Sequence, residues 1–378
     1  MMDLDDLFEQ EFPVESNLVY LNHAAVAPWP LRTGEAVRRF AAECVDMGAC
    51  DYVTWLEKEQ ELRGQLARLI NAQSADDIAL LKNTSEGLST VAQGFPWTAG
   101  DNIVISNEEF PSNRIVWESL AGRGVELRQV SLERGGDGES ALLAAADART
   151  RLLAVSSVQY ASGLRIDLKR LGRQCRERGI AFCVDAIQGL GVTAHDVQSM
   201  AIDFLAADAH KWLLGPEGIA VFYCSPAWRE RLALHEYGWH MTDHPHDFER
   251  TQWRPAASAR RFECGSPNML GIHAFAASLS LIEDIGAAEM EKRVLGNAAY
   301  LMDAIVRNPQ LELITDNRPG RHAGIVTFRH RSLAVATLFE HLRAQRIICA
   351  QRAGGIRFSP HIYHSHETLD RALEALDI

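Results

Sequence analysis

The chain has 378 residues, 47% of them hydrophobic, which is ample for a large buried core and long enough for two domains. A formal charge of -12 argues against a nucleic-acid or anionic-membrane partner, and seven cysteines without CxxC or CxxH spacing fit a reducing compartment better than a disulfide framework or zinc site. The acidic start, MMDLDDLFEQEFP, has no apolar signal core and no apolar run reaches membrane-spanning length, so a cytoplasmic protein is expected.

From about residue 75 to 225, short aliphatic or β-branched runs alternate with helical stretches. DIALLKN (77–83) leads into TSEGLSTVAQGF, and DNIVISN (101–107) leads into a region from Arg114 to Gly122. RLLAVSSV (151–158) precedes a predicted helix over 167–178. Its Leu168, Leu171 and Cys175 share one face, and Gly179 stands where a left-handed C-cap is expected. AFCVDA (181–186) follows at once, then IDFLAADAH (202–210) and GIAVFYC (218–224). This order predicts right-handed βαβ units: an α/β fold with a mostly parallel central sheet flanked by helices. Ligands are then expected at the carboxyl ends of the strands. After residue 225 the pattern changes to one long helical region (268–307), HAGIVTFRH, a helix near 333–345, GIRFSPHIY and a last helix. We expect a smaller α+β domain over 266–378, a large domain over 21–265, and an N-terminal segment, 1–20, packed on the small domain.

Lysine usage is uneven. Only Lys58, Lys82, Lys169, Lys211 and Lys292 break a basic set that is otherwise arginine. Lys211 ends an apolar strand, where an amine able to lose its proton has a use that arginine does not. Asp185 ends another such strand, and Gln188 lies three residues on. An acid, an amide and an amine at one sheet edge suit pyridoxal phosphate: the lysine joins the aldehyde, the aspartate keeps the pyridine nitrogen protonated, and Gln188 reaches the ring hydroxyl. Taken singly, Asp185 also reads as a turn residue and Lys211 as a surface lysine. Lys82, ending its own strand, is a rival for the aldehyde. Thr84, Ser85 and Gly87 offer a helix N-terminus for a phosphate, although an ordinary N-cap looks the same. Phe110, after a further strand, is placed to stack on a flat ring or to fill the core.

Together these residues resemble the class V branch of fold-type I pyridoxal-phosphate enzymes, which includes cysteine desulfurases, selenocysteine lyases, isopenicillin N epimerase, kynureninase and some aminotransferases. The likeness runs in order through YLNHAAVAP, NTSEG, EFPSN, VDAIQGLG, DFLAADAHKWLLGPEGIAVFY, RRFECGSPN and GIRFSPHIYHSHETLD. It implies that Lys211 bears the cofactor aldehyde, Asp185 the pyridine nitrogen and Gln188 the ring oxygen. Thr84, Ser85 and His210 would hold the phosphate and Phe110 the ring face. Ser266 would reach the phosphate of a neighbouring subunit, implying a homodimer with shared active sites. Arg357 would take the α-carboxylate of a small amino-acid substrate, and His23 in the YLNHAAVAP loop is a further substrate-binding candidate. Asp208 and Tyr160 depart from the desulfurase pattern, which has serine and asparagine there. Asp208 is expected to turn from the phosphate or pair with a base.

The catalytic cysteine of desulfurases also has no counterpart. Cys349, eight residues before Arg357 in RIICAQ, reads as a buried strand residue. The residues leave transamination, β-elimination (including C–S lyase chemistry) and epimerisation open. The reading leans to an aminotransferase. A pyridoxal-phosphate protein that binds without turnover is the alternative of another class. His240, His244 and His246, in EYGWHMTDHPHDF, read as part of a wet lid rather than a metal site.

Overall fold

β-Branched and aliphatic runs bounded by turn residues become the strands of one large sheet. The computed structural model describes residues 4–132 and 135–377. In chain order the first half runs α1 (Leu4–Glu11), β1 (Val19–Tyr20), α2 (Leu31–Asp46), α3 (Tyr52–Leu69), β2 (Ile78–Leu81), α4 (Thr84–Gly94), β3 (Asn102–Ser106), α5 (Ser112–Glu118), β4 (Glu126–Val130), α6 (Gly138–Ala144), β5 (Thr150–Ser156), α7 (Leu168–Arg178), β6 (Ala181–Asp185), β7 (Phe204–Asp208) and β8 (Ala220–Cys224). The remainder runs α8 (Pro226–Arg229), α9 (Met269–Ile285), α10 (Ala287–Arg307), β9 (Leu311–Leu313), β10 (Val326–His330), α11 (Val335–Ala344), β11 (Ile347–Ile348), β12 (Ala350–Arg352), β13 (Gly355–Phe358) and α12 (His366–Glu374).

The large sheet has the order β2-β8-β7-β6-β5-β3-β4. Its neighbours are parallel except where β8 pairs with β2 and β7. The carboxyl ends of the other six strands therefore share one edge. β6, β7 and β8 are buried throughout, because helices cover both faces. Strand alternation divides the core: Val155, Val184 and Leu205 pack with Leu62 of α3 and Phe275 of α9, while Ala154, Cys183 and Ala206 pack with Leu88 of α4 and Trp117 of α5. The α/β architecture is as the sequence indicated, and α7 ends at Gly179 with φ 68°. β4 was not expected. It is a half-exposed edge strand, ELRQV, whose charges suit an edge and blur its apolar pattern.

A second, antiparallel sheet has the order β12-β13-β10-β9. It builds its own core with α10, α11 and α12, among them Leu301, Phe328, Leu342, Phe358 and Leu369. β1 pairs in parallel with β11, Val19 opposite Ile347, so the start of the chain is sewn to its end. The expected single helix over 268–307 is two helices. Gly286, at φ 84°, breaks it with an 86° bend. Among the described residues no single helix is long and apolar enough to cross a membrane.

Candidate active site

A cavity of about 250 Å³ opens at the shared carboxyl edge and is lined as well by Arg352 of β12 and Arg357 of β13. Asp185 ends β6 and Gln188 sits in the turn after it. Lys211 and His210 follow β7, Thr84 opens α4, Phe110 lies beyond β3 and Arg357 projects from β13; all seven line the cavity. Seven predicted residues from five separate stretches of chain thus meet in one space. Gln188 is fixed at both ends: its Nε2 donates to the Ala24 carbonyl (2.9 Å) and its Oε1 accepts from Trp212 Nε1 (2.9 Å). One N–H of that amide is left over. The Phe110 ring meets Tyr160 edge-on at 5.1 Å, and Lys211 Nζ lies 5.6 Å from its centroid.

Burial sets the electrostatics. Lys211 is 9% exposed, and burial pulls its ammonium down to about 8 although the Asp185 carboxylate opposes the fall. Asp185 is 2% exposed and is pushed up to about 7, first by burial. The Ile187 N–H, at 3.1 Å, acts against that rise and Glu109 adds to it. Arg357 is 1% exposed and burial draws its guanidinium down to about 10. Its Nη1 donates to the Tyr160 carbonyl (2.7 Å), its Nε has no partner, and no acid pairs with it among the described residues. A buried guanidinium with no acid partner that faces a cavity has the charge and the fork of donors that suit a carboxylate.

The N-terminus of α4 is already engaged. Asn83 accepts from the Glu86 N–H (2.9 Å) as N-cap. Asp208 Oδ2 accepts from the Thr84 N–H (3.1 Å) and from Thr84 Oγ1 (2.8 Å), and the Asp208 N–H returns a bond to Thr84 Oγ1 (3.0 Å). Asp208 thus faces the helix end instead of turning from it. The base beside it is His210, but its Nδ1 is 4.0 Å from Asp208 Oδ1 and has no hydrogen-bond partner. Burial lowers the pKa of His210, so this imidazole resists the proton that would make it a counter-ion.

Other candidates lie elsewhere. Ser85 stands beside the cavity, its Oγ donating to Ser112 Oγ (2.7 Å). Ser266 is exposed and outside the cavity of its own chain. His23 does not reach the cavity. It is fully buried beneath, Nδ1 at 2.9 Å from the Ser359 carbonyl and Nε2 at 2.9 Å from Tyr363 Oη, packed with His361 and His364. The Ser359 carbonyl and the Tyr363 hydroxyl take up both its nitrogens. Lys82 is exposed and pairs with Glu86 at 2.9 Å, which removes it as the rival amine of this cavity. Cys349 is buried and its thiol is pushed up to about 12 by that burial, in keeping with a core residue.

His240 is not on a wet lid. It is buried against Glu59 and Glu263, whose carboxylates clasp the buried Arg63, while His244 is exposed. Sequence reasoning missed Glu109 and Arg352. Glu109 is buried behind the cavity and accepts from the Ser156 N–H (3.0 Å), Asn113 Nδ2 (2.8 Å) and Gln159 Nε2 (2.9 Å). Its position one residue before Phe110 was the available signal. Arg352 lines the rim from the hairpin that also carries Arg357.

The aminotransferase class-V family model matches residues 19–371. A probable cysteine desulfurase of Methanothermobacter thermautotrophicus is 30% identical over 391 residues, covering 97% of this chain and 96% of the relative. Among solved structures, the apo cysteine desulfurase of Thermococcus onnurineus NA1 superposes with a TM-score of 0.90 at 23% identity, over 100% of this chain and 98% of the other. The cystine C-S lyase C-DES, in complex with its reaction product cysteine persulfide, gives 0.90 at 22% identity, over 97% and 99%. These likenesses place the fold, and the match over nearly the whole length settles the lineage: the chain belongs to the aminotransferase class-V family.

Proposed function

We propose that this chain is a pyridoxal-phosphate-dependent lyase that breaks the Cβ–S bond of a small sulfur-bearing amino acid, with cysteine or cystine as the substrate class. The observation that carries it is the meeting, in one cavity, of a buried amine, a buried acid and an unpaired guanidinium. The relatives' cysteine chemistry turns the reading from transamination, towards which the sequence leaned, to C–S cleavage. None of the seven cysteines lines the cavity, so the sulfur leaves without being taken up by a thiol of the site.

The donor set fits the cofactor. Lys211 would hold its aldehyde carbon, Asp185 the pyridine nitrogen, the spare N–H of Gln188 the ring oxygen and Phe110 the ring face. Thr84, Ser85 and His210 would surround the phosphate, with Ser266 supplied by a second copy of the chain in a homodimer. When bound, pyridoxal phosphate supplies an aldehyde that condenses with amines and a protonated ring that accepts the electron pair released at Cα. The chain's own residues do the rest. Arg357 pairs with the substrate α-carboxylate and fixes Cα in the cavity. The Lys211 amine, which burial brings into a range where it can lose its proton, takes the Cα proton. Asp185 accepts a proton readily because burial favours its neutral form, so it can share one with a ring nitrogen. The Cβ–S bond then breaks with its electron pair leaving on sulfur. Hydrolysis of the remaining three-carbon unit gives pyruvate and ammonia.

Incubating the loaded protein with cysteine, cystine and sulfur-free amino acids tests this. Pyruvate, ammonia and sulfide or persulfide in equal amounts, from the sulfur substrates alone, are expected. A keto acid formed without ammonia would show transamination instead. A cofactor spectrum unmoved by any amino acid would show a binder without turnover.

A further inference from the structure

The phosphate end of the cavity carries an anion of its own. Thr84 Oγ1 has a single proton, which it donates to Asp208 Oδ2 while accepting from the Asp208 N–H. The Thr84 N–H is given to the same oxygen. The Ser85 hydroxyl is donated to Ser112, and the Glu86 N–H to Asn83. The first turn of α4, which by position would cradle a phosphate, therefore spends these donors inside the protein. Asp208 is 7% exposed and lines the cavity. The basic groups facing it do not cancel it at contact distance. His210 stands 4.0 Å away with its Nδ1 unpartnered, and Lys211 is also drawn on by Asp185.

We propose that Asp208 is a resident anion on the phosphate cradle, so that this chain holds the phosphate of its cofactor weakly and discriminates little between pyridoxal phosphate and unphosphorylated pyridoxal. The proposal rests on the cofactor reading above and extends it to cofactor affinity and exchange. A phosphate that enters must either share the helix end with the carboxylate or displace its two bonds from Thr84. Both routes cost binding energy that a neutral residue at position 208 would not. Exchange of the cofactor with the medium is then faster than it would be with a neutral residue at position 208.

The test is a titration of the cofactor-free protein with pyridoxal phosphate and, separately, with pyridoxal, read by visible absorbance. Wild type is compared with Asp208→Asn, which keeps an acceptor for Thr84 and removes the charge. The ratio of the two dissociation constants is the readout, since damage to the aldehyde or ring site moves both together. The variant is expected to favour the phosphorylated form by roughly 10- to 100-fold more than wild type does, the range for one unit charge removed at close range from an anion. Asp208→Ser gives the same ratio change should the first variant fold poorly. An unchanged or smaller ratio in a folded variant would overturn the inference alone, by showing that Asp208 does not oppose the phosphate. Failure of wild type to bind either compound would overturn the proposed function and this inference with it.

Discussion

Replacing Asp185 by asparagine measures what the cavity costs the cofactor-free protein. The carboxyl sits about 7 in the fold against an ordinary 3.8, and burial is the main cause. An acid raised on folding binds more protons folded than unfolded, so stability is full below the ordinary value and falls as pH climbs towards 7. A difference of about three units corresponds to about 4 kcal/mol, and roughly half of it accrues between pH 5 and 7. Asparagine keeps an oxygen for the Ile187 N–H and does not titrate. Losing the carboxylate also lets Lys211 fall further, and a lowered lysine adds stability as pH rises, in the same direction. Urea unfolding of both cofactor-free proteins at pH 5 and pH 7 is the assay. The stability of Asp185→Asn relative to wild type should rise by about 2–3 kcal/mol between the two. A difference that is equal at both pH values would refute the claim that the acid is held in a desolvated, proton-binding state.

Further outcomes follow from the same geometry. Lys211→Ala should abolish ammonia release from cysteine, whereas Lys82→Ala, at an exposed residue paired with Glu86, should leave it within about twofold; the reverse pattern would move the base to Lys82. Arg357→Ala should raise KM for the amino acid by about 10- to 100-fold, the worth of a charge-assisted pair, with a smaller change in kcat. An unchanged KM would remove Arg357 from substrate binding. Cys349→Ala should release sulfide at the wild-type rate, because the thiol is buried outside the cavity. Loss of sulfide in a stably folded variant would make it a sulfur acceptor.

Legibility in the sequence followed burial. Strands buried on both faces, such as AFCVD and FLAAD, announce themselves as apolar runs, and the polar residue that ends each one marks the sheet rim. That is why Asp185 was within reach from its position, while Lys211, beyond the end of FLAAD, and Arg357, inside β13 of the smaller sheet, rested more on family likeness. β4 was not, since a charged edge strand does not alternate cleanly. Nor was the break at Gly286, where one φ angle turns a continuous helical pattern into two helices. His23 shows the opposite failure: a polar residue in a suggestive loop whose two nitrogens are satisfied by Ser359 and Tyr363. Asp208 could be flagged as a departure, but not where its carboxylate points. That depends on Thr84, which is 124 positions away in the chain and adjacent in space.

Reduction of the loaded protein with borohydride, digestion and mass spectrometry of the peptides would identify the amine that carries the cofactor. The account predicts a single pyridoxyl group, on the peptide containing Lys211 and absent from Lys58, Lys82, Lys169 and Lys292. A pyridoxyl group on any of those four, or on none of the five lysines, would contradict it.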